Sequence, residues 1–316
     1  MSASSRDGVA LGAGEEFDAI RAMLRVWGAQ ARGIGDDAAV MDVPPGERLV
    51  VSTDASVENV HFRRSWLSPA EIGARAAAAA LSDLAAMAAR PLGLLLGLGV
   101  PDDWRHDLEE IARGVGAMSA RVECPIVGGN VTRASELSLT ITVLGAAVRP
   151  LARSLARPGD VLYVTGDLGG PGAALRALLA GMAPEPAHRA RFAGPMPRLS
   201  EARWLAAAGA HAAIDLSDGL VSDAGHLAAA SGVRLELDLS SVPLAEGVSA
   251  SDAVASGEEY ELLVAFPAES LPDSRRFADE FGIGICAVGR VLEGSGVTFL
   301  SDGAAAEAAR GHDHFS

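Results

Sequence analysis

The 316-residue chain contains no lysine; all 26 of its basic residues are arginine. That absence excludes chemistry that needs a lysine amine. No GxxxxGK[ST] phosphate loop, no strand lysine of the protein-kinase type and no Schiff base can be built. Cysteine is nearly as scarce. Cys124 and Cys286 are the two present, with no CxxC pair and no run of cysteine and histidine spaced for zinc. This usage fits a reduced, cytoplasmic protein without a structural zinc. Aromatic residues reach only 4%, so small aliphatic residues must build the core, with closely packed helices and turns. Long apolar runs are also missing. Segments such as Pro91 to Pro101 are too short to cross a bilayer, and the first residues lack the basic-then-apolar pattern of a secretion signal.

What is abundant is negative charge, with 41 acidic residues and a formal net charge of -15. Such a surface repels DNA, RNA and anionic membranes. An anionic ligand would have to be met through metal cations or local arginines. Hydrophobic residues make up 49% of the chain, enough for a large core, and the length suits two domains of about 150 residues each.

Helical periodicity covers Glu15 to Trp27. Arg48 to Ser56 reads as a strand ending in a polar loop. A helix begins at Ser68, Pro69 and Glu71, an N-cap, a first-turn proline and the partner of a capping box. Pro91 stops it and opens a buried strand. Asp103 to Ala120 reads as an amphipathic helix, Cys124 to Asn130 as a strand running into a turn, and Leu137 to Val148 as a long strand. The Arg- and Pro-rich segment 149–160 is the best domain boundary, giving an N-terminal domain over 1–150 and a C-terminal domain over 151–316. Beyond it come a strand, a Gly-rich turn and a helix (161–181), a strand, an acidic turn and a helix closed by Gly232 (211–233), and strands at Tyr260 to Phe266 and Gly282 to Val291. Strands and helices alternate in both halves, so the fold class is α/β or α+β in two domains.

The acidic residues that carry information sit at element ends or in apolar surroundings. Asp36 and Asp37 follow two glycines and precede an apolar run; the plain alternative is a tight turn. Asp54 ends a strand beside the hydroxyls of Ser52 and Thr53, where a solvent loop is the alternative. Asp83 lies in an alanine-rich helix, where an uncompensated carboxylate costs several kcal/mol on burial. A hard cation such as Mg²⁺ compensates it; a Ser-Asp pair on a solvated face is the alternative. Asp215 and Asp218 flank Leu216 and Ser217, and a helix N-cap would explain Ser217 or Asp218 but not Asp215. The glycines of Val127 to Arg133 allow close approach to a phosphate, as does the turn at 165–172, unless both are ordinary turns. Scattered carboxylates with Gly-rich turns between them suit a polyphosphate held through divalent cations, and therefore phosphoryl transfer.

Taken in order, GIGDDAAV (33–40), STDASVENVHF (52–62), LSDLAAMAA (81–89), VGGNVTR (127–133), ARSLARPGD (152–160), IDLSDGLVSDAGHLA (214–228), SGEEYELL (256–263) and GHDHF (311–315) resemble thiamine-monophosphate kinases. These belong to the aminoimidazole-ribotide synthetase-like ATP-binding superfamily. The resemblance covers nearly the whole chain. It implies a two-domain fold of that type, a homodimer formed through N-terminal strands, and Mg²⁺- and ATP-dependent phosphorylation of thiamine monophosphate to thiamine diphosphate. It implies metal ligands at Asp37, Ser52, Thr53, Asp54, Asp83, Asn130, Asp215 and Asp218. It places Gly129, Asn130, Arg153 and Ser217 at ATP, and His61, Glu258 and His312 at the thiamine phosphate. For His61 the alternative is an ordinary loop histidine.

Three positions depart from the family's pattern. Asn130 stands where the family has Asp, Glu259 where it has Asp, and His312 where it has Tyr or Trp. The competing readings are few. A selenide-activating relative would carry a reactive cysteine before Gly33, and a hydrogenase-maturation dehydratase a terminal cysteine where Ser316 stands. Another ATP-using enzyme of the superfamily, or a nucleotide-binding regulatory homologue without catalysis, remains.

Overall fold

The computed structural model describes residues 14–306. They divide into two compact units, 14–84 with 90–148, and 85–89 with 149–306; His312 lies outside the described residues.

In the first unit, α1 (Glu15–Trp27) precedes β1 (Arg48–Val57), α2 (Pro69–Ala86), β2 (Arg90–Val100), α3 (Leu108–Arg121), β3 (Ile126–Arg133) and β4 (Ser138–Ala147). The strands form one sheet in the order β1-β4-β2-β3, antiparallel except for the parallel pair β2–β3. The start of α2 follows from its sequence: Ser68 N–H donates to Glu71 Oε2 at 2.8 Å, and Glu71 N–H donates back to Ser68 Oγ at 3.3 Å. Glycine sets how closely the helices pack. A Cβ on Gly114 would lie 1.8 Å from the carbonyl oxygen of Ala70, and one on Gly73 2.1 Å from that of Ile111, so α2 and α3 meet backbone to backbone. The expected helix from Asp103 is delayed. Residues 102–107 form a 3-10 turn that buries Trp104, and α3 begins only at Leu108. The strand through Cys124 to Asn130 does not turn at its glycines but runs on to Arg133.

The second unit contains β5 (Val161–Thr165), α4 (Gly170–Leu179), α5 (Pro186–Ala193), α6 (Leu199–Ala207), β6 (Ala212–Asp215), α7 (Leu220–Ser231) and β7 (Arg234–Asp238). It continues with α8 (Ala250–Val254), β8 (Leu262–Phe266), α9 (Ser274–Phe281), β9 (Ile285–Leu292), β10 (Gly296–Ser301) and β11 (Ala304–Ala306). Its strands make one seven-stranded sheet in the order β11-β10-β7-β9-β5-β8-β6. All of β8 is buried, and Leu162, Val164, Ile214, Leu227, Leu235, Leu263 and Val288 join its core. Each such fully buried side chain contributes about 1.5–3 kcal/mol by area transfer. Gly232 closes α7 in the left-handed conformation at φ 66°, as helix C-termini favour.

Candidate active site

In the first unit the functional candidates hang on β1 and α2. Strand alternation puts Ser52 and Asp54 on one face and Thr53 on the other. Ser52 Oγ donates to Asp83 Oδ2 at 2.5 Å, so β1 and the middle of α2 join at a hydroxyl and a carboxylate. Asp83 itself is half-buried between buried Ser82 and Leu84. Thr53 Oγ1 lies instead 3.0 Å from Thr142 Oγ1 on β4, and its hydroxyl does not meet Asp83. Asp54 Oδ1 accepts the N–H of Ala55 at 2.8 Å. By register, Asp54, Ile141, Leu96 and Gly129 form one row across the sheet, while Asn130 stands one residue on, exposed and opposite Gly97. Gly129 is required by its neighbour, because a Cβ there would fall 2.0 Å from the Leu96 carbonyl oxygen. Asp36 and Asp37 are both exposed, Asp36 in an isolated bridge to Ile34 and Asp37 in a bend. His61 Nδ1 accepts the N–H of Val57 at 3.1 Å, which leaves the neutral ring with its proton on Nε2.

In the second unit, β6 ends at buried Asp215 and the chain turns through Leu216 to Gly219 into α7. No side chain caps that helix; its N-cap is Gly219 at φ 106°, so neither Ser217 nor Asp218 is used as a cap. The turn is strapped to the segment before β8. Leu216 N–H donates to the Glu261 carbonyl at 2.8 Å, Glu258 N–H to the Ser217 carbonyl at 2.7 Å, and Tyr260 N–H to the Leu216 carbonyl at 2.9 Å. This brings Asp215, Ser217 and Asp218 beside Glu258. The cost appears in the backbone, where Glu258 and Tyr260 sit at φ 65° and 52°. Non-glycine residues held there cost about 1–3 kcal/mol each and persist only where surroundings over-determine them.

Sequence reasoning passes over Asp223. It lies on α7 in the buried stripe with Leu220, Ala224 and Leu227, and a carboxylate in that phase was the available signal. Its carboxyl is pushed up to about 8, first by burial, then by the carboxylates of Asp215 and Asp218, against the N–H of Asp218 and the charge of Arg153. Arg153 thus belongs to the same neighbourhood. Ligand atoms of Asp218, Asp223 and His226 lie within 4.8 Å of one another, a group that could hold a cation. The oxygen donors suit a hard ion; the His226 nitrogen is not a donor that Mg²⁺ needs.

A second network of charged side chains escapes the sequence reading. Glu261 accepts from Arg198 Nη2 at 2.5 Å and Nε at 2.8 Å, from Thr165 Oγ1 at 2.7 Å, and from Arg191 Nη2 at 3.1 Å. With Glu259 it lines a cavity of about 360 Å³.

Comparison with known proteins identifies the family. Residues 35–147 match the AIR synthase related protein N-terminal domain, and residues 157–301 its C-terminal domain. The chain is 35% identical over 285 residues to thiamine-monophosphate kinase from Methanopyrus kandleri, covering 86% of this chain and 87% of that protein. It is 34% identical over 301 residues to the Escherichia coli K12 enzyme of the same name, covering 90% and 92%. Among solved structures, thiamine-monophosphate kinase from Stenotrophomonas maltophilia superposes with a TM-score of 0.81 at 33% identity, over 90% of this chain and 97% of that one. AaThiL complexed with AMPPCP and TMP superposes with a TM-score of 0.77 at 31% identity, over 95% and 97%. The hydrogenase maturation protein HypE, at 18% identity and a TM-score of 0.76, shares the fold alone.

Proposed function

We propose a reaction for this chain on one premise: it belongs to the thiamine-monophosphate kinase family, within the AIR synthase related proteins. It is an ATP-dependent kinase whose acceptor is itself a phosphate, converting thiamine monophosphate to thiamine diphosphate. The observation on this chain that supports the mechanism best is the gathering of Asp215, Asp218 and Asp223 at the end of β6, beside the strap that carries Glu258.

The acceptor needs no general base. A phosphate monoester has a second pKa near 6 and is mostly dianionic at pH 7, so it is already a nucleophile. The barrier is repulsion between anions, and catalysis reduces to positioning and charge neutralisation. In the first unit Asp37, Ser52, Asp54 and Asp83 would hold Mg²⁺, with Asn130 as an uncharged donor; in the second, Asp215 and Asp218 would do so. Bound cations would supply charge neutralisation for the phosphates. The donor set fits: Asp223 is raised to about 8 first by burial and then by the carboxylates of Asp215 and Asp218, and oxygen donors gathered this way suit a hard cation. Thr53 would add its hydroxyl oxygen, which keeps a lone pair for a cation beside its 3.0 Å contact with Thr142 Oγ1.

The remaining residues bind and orient. Gly129 and Ser217 offer close backbone approach to ATP phosphates, and Arg153 its guanidinium. The His61 Nε2 proton and the Glu258 carboxylate would contact the acceptor. The proposed assembly is a homodimer; β1 is an edge strand with Leu49 and Val51 exposed on one face, a surface suited to self-association. The proposed location is cytoplasmic; no helix among the described residues is long and apolar enough to cross a membrane. Formation of thiamine diphosphate by the purified chain tests the reading.

A further inference from the structure

We propose that Glu259 is a positioning residue for the acceptor, acting through the loop that presents Glu258; this rests on the reading of Glu258 as an acceptor contact. The loop is gripped from two sides by different means. On one side the main chain does the work, through the N–H groups of Glu258 and Tyr260 bound to Ser217 and Leu216. On the other side one side chain does it. The Glu259 carboxylate has no exposed surface, and its Oε1 accepts the N–H of Gly169 at 2.6 Å. Its Oε2 lies 3.4 Å from Arg191 Nη2, and Arg191 Nη1 donates to the Asp167 carbonyl at 2.5 Å. Glu259 and Arg191 together therefore fasten both ends of the Gly-rich turn before α4 to the loop.

Glu259 also stands at the edge of the cavity of about 360 Å³ that Gly166, Arg198, Glu261 and Gly284 line. Gly169 itself must stay glycine: it sits at φ 102°, and a Cβ on it would meet Val248 Cγ1 at 2.6 Å. The backbone at Glu258 and Tyr260 is in the left-handed region and relaxes when a restraint is removed. An apolar side chain would fill the Glu259 volume without desolvating a charge, but would leave the buried Gly169 N–H without an acceptor. Relaxation of the loop would displace Glu258.

The test is steady-state kinetics with Mg²⁺, varying thiamine monophosphate and ATP separately, for wild type, Glu259→Ala, Glu259→Gln, Glu259→Asp and Glu258→Gln. Glu259→Ala should raise the acceptor KM about tenfold, the size of one lost buried hydrogen bond, with the ATP KM within about twofold. Glu259→Asp keeps the charge for Arg191 and should recover most of the loss. Glu259→Gln keeps the acceptor for Gly169 and should cost about threefold, and it decides the matter if the alanine variant does not fold. Acceptor and ATP KM rising together, or a fall in melting temperature with both KM values unchanged, would make Glu259 merely structural and overturn the proposal. A raised acceptor KM in Glu258→Gln with none in the Glu259 variants also overturns it. An unchanged acceptor KM in Glu258→Gln overturns the premise and the proposal with it.

Discussion

The main-chain N–H of Glu258 donates to the carbonyl of Ser217 at 2.7 Å. Two motifs some forty residues apart thereby become one structure. Gly257 makes the contact possible, since a Cβ there would lie 2.8 Å from the Ser217 oxygen. Gly257→Ala should push the two segments apart and lower kcat/KM by about tenfold or more, since a displacement near 1 Å can cost 10²-fold. Unchanged kinetics in a folded variant would show that the strap does not position the site.

Asp83 can be separated from its fold. Ser52 Oγ donates to it at 2.5 Å, and Asp83→Asn keeps an oxygen acceptor while removing the charge. The melting temperature should stay within about 2 °C, which in a chain of this size is near 1 kcal/mol. Turnover should fall about 10²-fold or more, as when a group stabilising transition-state charge is lost. A large fall in melting temperature with activity retained would assign Asp83 to structure.

Asn130 contributes an oxygen without charge. Asn130→Asp should lower the Mg²⁺ concentration for half-maximal rate, and Asn130→Ala should raise it, read by titrating Mg²⁺ at fixed ATP. Identical titrations for all three proteins would place residue 130 away from the cation. That outcome would accord with its exposed position opposite Gly97.

Glu259 carries a pH signature. Burial, opposed by Arg191 and the Gly169 N–H and reinforced by Glu261, raises its carboxyl from 4.5 to about 7. The folded chain thus binds this proton more tightly than the unfolded chain. Its stabilising contribution is complete below about pH 4.5 and is lost as pH rises through 7. Glu259→Gln cannot titrate, so wild type minus variant melting temperature should fall between about pH 5 and 7.5. A difference that stays flat contradicts this environment for Glu259.

Much of the architecture was legible because its signals are local. Ser68, Pro69 and Glu71 announce α2, and the hydrogen bonds between Ser68 and Glu71 form as the capping box requires. Glu15 to Trp27 is a helix over the residues its periodicity marks, and Gly232 ends α7. What escaped depends on contacts distant in sequence. The strand expected from Tyr260 starts at Leu262, because Tyr260 is bound to Leu216 with a positive φ. The helix expected from Asp103 starts at Leu108, after a 3-10 turn that buries Trp104. Among the candidate residues, Asp54, Asp83, Asp215 and Asp218 could be singled out by apolar or strand-end surroundings. Asp223 and Glu259 could not be valued without knowing which carboxylates and arginines the fold sets against them.

This chain transfers a phosphoryl group from ATP to thiamine monophosphate. The most direct measurement is to incubate the purified chain with γ-labelled ATP, Mg²⁺ and thiamine monophosphate, and to separate the products. The account predicts label in thiamine diphosphate in step with ADP release, none without the acceptor, and none with EDTA. ATP consumed with the label appearing only as inorganic phosphate, or no turnover at all in a folded protein that binds ATP, would contradict it.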